Sequence, residues 1–244
     1  MKLLPYPLLA LLSLLTLPVQ AQATASTMSG AAAPVTAFNY FDPATVDLKA
    51  LLPDPPADGS PANLKEIDLI LEKQQSRTPE EVNRIKREVH LDVYLFDTVL
   101  GPWFTAQNVP LTAAFFKKID DDIYPVILSA KKDWHRPRPP SQDSRVHPPI
   151  DLPKNDSYPS GHSTFGTLDA LVLAQLVPDL KDQFLARGRQ IGDDRVIAGV
   201  HFPSDVEAGR TLGKALFDKL MASPAFRVEL VLAQQELATA RGRQ

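Results

Sequence analysis

Residues 159–178 read PSGHSTFGTLDALVLAQLVP, and this stretch sets the architecture of the chain. Ser160-Gly161 enters an apolar segment rich in helix formers, which Pro178 ends; this is the start and stop pattern of a helix over about Ser160–Leu176. A Ser-Gly pair at a helix N-terminus presents free backbone N–H groups together with the positive end of the helix dipole, a ready site for an anion. Gly161 lets the backbone approach that anion closely, the Ser160 hydroxyl adds a donor, and His162 projects from the first turn. Taken alone, the tetrapeptide is equally compatible with a plain helix cap.

Helical signals continue on both sides. Thr78-Pro79-Glu80-Glu81 is a capping box with Pro at the first helical position. Val82, Ile85, Val89, Val93, Phe96 and Leu100 then recur at intervals of three and four, predicting one continuous helical face. A shorter helix is expected over Leu64–Leu71, and another over Leu111–Ala130 with a kink at Pro125. The Pro-rich stretch 139–159 reads as loop. Helices follow over Lys181–Ala198, from a second capping box at Ser204-Asp205-Val206-Glu207 through Leu220, and over Pro224–Ala240. Neither a sustained period-two pattern nor an internal repeat occurs, so the reading is an all-α, single-domain helical bundle.

Before residue 64 the chain changes character. Met1-Lys2, the apolar run Leu8–Leu17 and Ala21-Gln22-Ala23 make residues 1–23 a secretory signal peptide, with the mature chain starting near Thr24. Residues 24–63 form a Pro/Ala-rich arm, ordered where Phe38, Tyr40, Phe41, Leu51 and Leu52 dock on the helical domain, residues 64–244. The expectation is a periplasmic or secreted protein with no stable membrane insertion after cleavage, because no later apolar run has the length of a span. The sequence has no cysteine, which excludes disulfides and thiol catalysis. Its formal charge of −3 gives no support for nucleic-acid binding, and loss of Lys2 with the leader makes it −4. The oligomeric state is open.

Two further blocks flank 159–162. Lys131-x6-Arg138-Pro139 ends one helix with cations: a guanidinium donates two parallel hydrogen bonds to an oxyanion and lysine adds a point charge. The alternative is a solvated basic helix end. Arg195-x5-His201-x3-Asp205 supplies a third cation and an imidazole four residues before a carboxylate. A neutral imidazole attacks phosphorus when its other nitrogen carries the proton, and a carboxylate on that N–H fixes the tautomer. Alone, this pair could be a packed histidine and an acid favouring the helix dipole. Three such blocks in one chain point to phosphate chemistry. A serine-hydrolase reading lacks a G-x-S-x-G elbow, and His90, His135, His147, His162 and His201 show no metal-ligand spacing.

With K-x6-R-P, P-S-G-H and R-x5-H-x3-D in this order, the chain resembles the type 2 phosphatidic acid phosphatase superfamily. That superfamily includes the bacterial class A non-specific acid phosphatases and the vanadium haloperoxidases. The likeness spans Leu64–Leu220 in helix order and is most similar to the soluble class A enzymes, although their cysteines are missing here. It implies a helical bundle with the site at one end and a metal-independent acid phosphatase that needs no cofactor. It further implies that Lys131, Arg138, Ser160, Gly161 and Arg195 bind phosphate. His201 would be the nucleophile forming a phosphohistidine, with Asp205 orienting it and His162 serving as acid and then base. The substrate would be a small phosphate monoester, with soluble esters favoured over lipid phosphates. A vanadate-dependent haloperoxidase and a non-enzymatic anion-binding envelope protein are the alternatives. One position departs: Asp194 stands where the family has Ser, and is expected to point away from phosphate or pair with a cation such as Arg195. Trp103, Phe104, Trp134 and Tyr158 are candidates to stack on a leaving group, with packing the equally open role.

Overall fold

The computed structural model describes residues 38–243, so the leader and its cleavage site lie outside the described residues. Seven longer helices make up the described part: α1 (Pro61–Ser76), α2 (Pro79–Arg87), α3 (Pro110–Trp134), α4 (Gly161–Leu176), α5 (Lys181–Ile197), α6 (Pro203–Ala222) and α7 (Pro224–Arg241). A single turn at Leu48–Leu51 precedes them, others at Asp97–Leu100 and Pro139–Gln142 lie between them, and no strand occurs among the described residues. None of these helices is long and apolar enough to cross a membrane.

Helix α4 is the axis of the bundle. Residues on all its sides are buried, from Ser163 and Phe165 through Leu168 and Val172 to Leu176, and it packs chiefly on α5 and α6. Small residues allow this close crossing. A Cβ at Gly188 would run into the Gly166 carbonyl oxygen and sit 2.7 Å from the Ala170 Cβ, and one at Gly213 would meet the Thr164 carbonyl. α7 closes the bundle against α3 through Phe115 and Phe226, whose ring centroids lie 5.1 Å apart. It also supplies the missing cap of α3: Glu236 accepts the Leu111 and Thr112 N–H groups at 3.0 and 2.7 Å.

Residues 38–60 lie on this body. Tyr40 packs on Phe115 and Phe226, and buried Asp122 accepts the Asn39 and Tyr40 N–H groups. Leu48 and Leu52 are buried, while Phe41 and Leu51 are partly so.

The sequence reading is corrected at two helices. α1 runs from Pro61 to Ser76, longer than Leu64–Leu71, because Ser60 caps it and Pro61 takes its first position while its exposed last turn carries no apolar signal. The predicted face Val82–Leu100 is not one helix. α2 begins at its Thr78 capping box as expected but stops at Arg87; Val89 is 45% exposed, and the chain resumes as a 3-10 turn at Val93–Phe96. The break turns Glu88 inward. α3 continues through Pro125 as a single helix and carries Lys131 in its last turn.

Candidate active site

Helix α3 ends at His135, in left-handed conformation with φ 46°, so the chain turns sharply after Lys131. Lys131 Nζ donates to the carbonyls of Asp156 at 2.6 Å and Pro159 at 2.9 Å, which winds the loop before α4 around the ammonium. Burial and the nearby Arg138 push its pKa down to about 7. Arg138 grips the same loop: its Nε and Nη2 reach the Asn155 carbonyl and side-chain oxygen at 2.9 and 2.8 Å. Its Nη1 donates to the Val200 carbonyl at 2.6 Å and faces His201 Nε2 at 3.2 Å.

That contact fixes the tautomer of His201. A guanidinium can only donate, so Nε2 carries a lone pair and the proton sits on Nδ1, which faces Asp205 Oδ2 at 3.3 Å. Burial, reinforced by Arg138, holds His201 neutral far below the usual imidazole range. Asp205 is buried as well, which alone would favour its neutral form, yet bonds from His201, Arg136 and Ser157 hold it down to about 2. Its Oδ2 also accepts the Phe202 N–H at 2.8 Å and the Ser157 hydroxyl at 2.6 Å. The cap of α6 therefore differs from the sequence reading: helix α6 starts at Pro203, Asp205 itself caps it by accepting the Phe202 N–H, and Ser204 N–H goes to Glu66 at 2.6 Å.

At α4, Ser160 is buried. Its hydroxyl caps the helix by accepting Ser163 N–H at 3.3 Å, while its own N–H donates to the Asp205 carbonyl at 2.9 Å. A Cβ at Gly161 would meet only Ile127, at 3.8 Å, so packing does not demand glycine there. His162 Nε2 lies 2.7 Å from the Glu88 carbonyl, which can only accept, so Nε2 carries a proton. Burial, then Arg195 and, further on, Arg138 and Lys131 push the His162 pKa down to about 3. The same Glu88 anchors the third cation: Arg195 Nη2 donates to its Oε2 at 2.6 Å, and Arg187 Nη1 lies 2.7 Å from Oε1. Arg195 Nε is buried without a hydrogen-bond acceptor among the described residues.

The structure thus brings Lys131, Arg138, Ser160, Gly161, His162, Arg195, His201 and Asp205 to one end of the bundle, where α3 ends and α4 and α6 begin. Asp194 points away from them. It is fully buried and its partner is Arg84 (2.6 and 2.7 Å to the two oxygens), not Arg195. The aromatic candidates all pack against other rings: Phe104 and Tyr158 are buried, half-buried Trp134 lies tilted against Tyr158 with centroids 5.3 Å apart, and half-buried Trp103 contacts Phe104.

Sequence reasoning missed the residues behind the site. Arg136 bridges Asp205 Oδ1 at 2.6 Å and Glu66 Oε2 at 2.8 Å while lying over the Phe202 ring. Its only signal was its place inside the basic block Lys131-x6-Arg138. Glu88 had no signal, because the sequence reading carries its helix on to Leu100 and so places it in mid-helix. No group of three or more His, Cys, Asp or Glu among the described residues is placed to hold a metal ion.

A sequence model of the PAP2 superfamily matches residues 112–224, which include all three blocks. The chain is 32% identical over 202 residues to the non-specific acid phosphatase of Salmonella typhimurium, covering 79% of this chain and 81% of that protein. It is also 32% identical over 198 residues to an acid phosphatase of Zymomonas mobilis, covering 78% and 75% of the two chains. A transmembrane PAP2 type phosphatidylglycerolphosphate phosphatase from Bacillus subtilis superposes with TM-score 0.48 at 20% identity, covering 66% of this chain and 85% of that one.

Proposed function

Because this chain belongs to the PAP2 superfamily and, within it, to the bacterial non-specific acid phosphatases, we propose that it hydrolyses phosphate monoesters through a phosphohistidine on His201. The observation that carries this reading is the contact of Arg138 with His201 Nε2, which puts the lone pair of a neutral imidazole, and not its proton, on the side of the cations, where it is freed for phosphorus once Arg138 turns to a phosphoryl oxygen.

In the first step the Nε2 lone pair forms a bond to phosphorus while the ester P–O bond breaks. Arg195 and the α4 N-terminus hold the phosphoryl oxygens, which also draw donors of Arg138 and Lys131 away from the carbonyls of the loop before α4. Asp205 holds the Nδ1 proton and stabilises the charge that develops on the ring. A protonated His162 gives its proton to the departing alkoxide; with Nε2–H donated to the Glu88 carbonyl, Nδ1 is the nitrogen that exchanges it. In the second step His162 takes a proton from water, the water oxygen attacks phosphorus, and the P–N bond breaks. Phosphate leaves and His201 is regenerated. Mildly acidic conditions favour this cycle because His162 must start protonated. The leader-like residues 1–23 support action outside the cytoplasm.

His201→Ala is expected to remove turnover of a chromogenic phosphate ester while inorganic phosphate still binds. Acid-labile phosphate trapped on wild-type protein during turnover, and lost in the variant, would mark the intermediate. Full turnover by His201→Ala would end the reading. Mass spectrometry of the protein from fractionated cells tests export, with Thr24 as the expected first residue.

A further inference from the structure

A second feature lies along α4 from His162. A cavity of about 340 Å³ is bounded by Asp92, Asp120 and Asp169 together with Leu91, Tyr124 and Phe165. Asp169 is 3% exposed, and its Oδ1 has no hydrogen-bond partner among the described residues. A buried polar atom left without a partner is costly and calls for a reason. Lys117, the one cation on the cavity wall, is held by Asp121 through both carboxylate oxygens, at 2.5 and 2.7 Å. Asp92 uses one oxygen to accept the Tyr94 N–H at 2.8 Å. Among the described residues no ion pair joins Asp92, Asp120 or Asp169 to a cation, although the charge of Lys117 reaches Asp120. Burial, then the nearby Asp120, pushes Asp169 well above the ordinary carboxyl range, and burial with Asp121 pushes Asp120 up to about 7.

We propose that this cavity binds an organic ammonium group, with Asp169 and Asp120 as its counter-charges and Leu91, Tyr124 and Phe165 around its apolar body. A bare metal ion is disfavoured, because no three acids among the described residues are set at ligating positions. An ammonium carries three donors for carboxylate oxygens, and aromatic faces attract cations. The volume is that of a small-molecule site.

Position ties the cavity to the phosphate site. Phe165 and Asp169 follow His162 by three and seven residues, so the three share one face of α4. Leu91 and Asp92 follow Glu88, whose carbonyl holds His162. His162 to Asp169 is about 10 Å along the helix, the reach of a six-carbon chain. The ammonium could come from the leaving group of a substrate, which rests on the function proposed above, or from a free amine.

Calorimetric titration of the full-length protein with benzylammonium tests the site without reference to turnover. Binding is expected to tighten from about pH 6 to pH 8.5 with release of protons, because carboxyls with raised pKa must ionise to meet the cation. Asp169→Asn should weaken it by about 30-fold or more, and Asp120→Asn serves if that variant does not fold. Turnover of hexyl phosphate should be unchanged in either variant, and its absence in wild type would count against the phosphatase mechanism, not the cavity. A preference for 6-aminohexyl phosphate over hexyl phosphate that disappears in Asp169→Asn identifies the leaving group as the source; benzylammonium binding with no such preference identifies a free amine. No benzylammonium binding to wild type, or equal binding to both Asn variants, overturns the proposal.

Discussion

Replacing Asp205 by Asn changes one atom of a buried side chain and so isolates the part played by its charge. In the wild type every contact of this carboxylate is with a donor: Arg136 on Oδ1, and Phe202 N–H, Ser157 Oγ and His201 Nδ1 on Oδ2. An amide has one acceptor oxygen, so either orientation sets an NH₂ against a donor. Pointed at Arg136, it meets a guanidinium that cannot accept. Turned the other way, it strands the Phe202 N–H and drives His201 to the opposite tautomer, whose Nε2–H faces Arg138 and has no lone pair for phosphorus. The folded pKa of Asp205 is depressed from 3.8 to about 2, so its contribution is present above the unfolded value and lost as pH falls through about 2. That shift corresponds to roughly 2 kcal/mol of stability above about pH 4. Denaturant titrations at pH 6 and pH 3 should show wild type losing more than Asp205→Asn over this interval. Loss of the orienting carboxylate should lower kcat by about 100-fold to 10,000-fold, while inhibition by inorganic phosphate moves by only a few-fold, since Asp205 sits behind the imidazole. A variant with native unfolding behaviour and kcat within a few-fold of wild type would refute the orienting role.

Further expectations follow from the same contacts. His162 at about 3 and Lys131 at about 7 are depressed by burial and then by neighbouring cations, so an arriving phosphate should raise both; titration with phosphate near pH 6 in buffers of different ionisation enthalpy should show proton uptake. Gly161→Ala should keep its stability, because a Cβ there meets only Ile127 at 3.8 Å, yet weaken phosphate inhibition about ten-fold or more by crowding the helix N-terminus. Glu88→Gln should destabilise the fold by about 3–5 kcal/mol in denaturant titrations, because it leaves Arg195 and Arg187 buried without their carboxylate. A change under about 1 kcal/mol would show that the two guanidiniums find other acceptors.

The order of helices was legible because caps and prolines mark it: Thr78-Pro79 and Ser160-Gly161 both open helices, as their chemistry requires. The proximity of the candidate residues was legible because each lies in a block whose local spacing already implies it, as His201 and Asp205 do across the start of α6. What could not be read was long-range pairing of buried charge. Glu88 lies 107 residues from Arg195 and falls between Ile85 and Val89, inside an apolar pattern that predicts unbroken helix; tertiary pairing outweighed local periodicity there. Asp194 shows the same limit. Its departure from the family pattern was visible, but Arg84 lies 110 residues away, and nothing in the local sequence selects it over adjacent Arg195.

This long-range pairing also explains how the site keeps a cationic end of the bundle stable. Lys131 and Arg138 spend donors on backbone carbonyls of residues 155–159 and Val200, which orients them without cancelling their charge. Arg195 is matched by a true counter-ion, Glu88, which binds Nη2 and leaves Nε without an acceptor among the described residues. Arg136 is matched by both Glu66 and Asp205, so its charge is balanced on both sides by acids. The cations thus divide into a set neutralised by acids and a set held by dipoles. Lys131 and Arg138 keep a positive field at the α4 N-terminus, and that field is among the causes that hold both imidazoles neutral. Neutrality suits the nucleophilic role proposed for His201 and opposes the acid role proposed for His162. A phosphate dianion placed among these cations would relieve the second effect, making protonation of His162 a consequence of substrate binding.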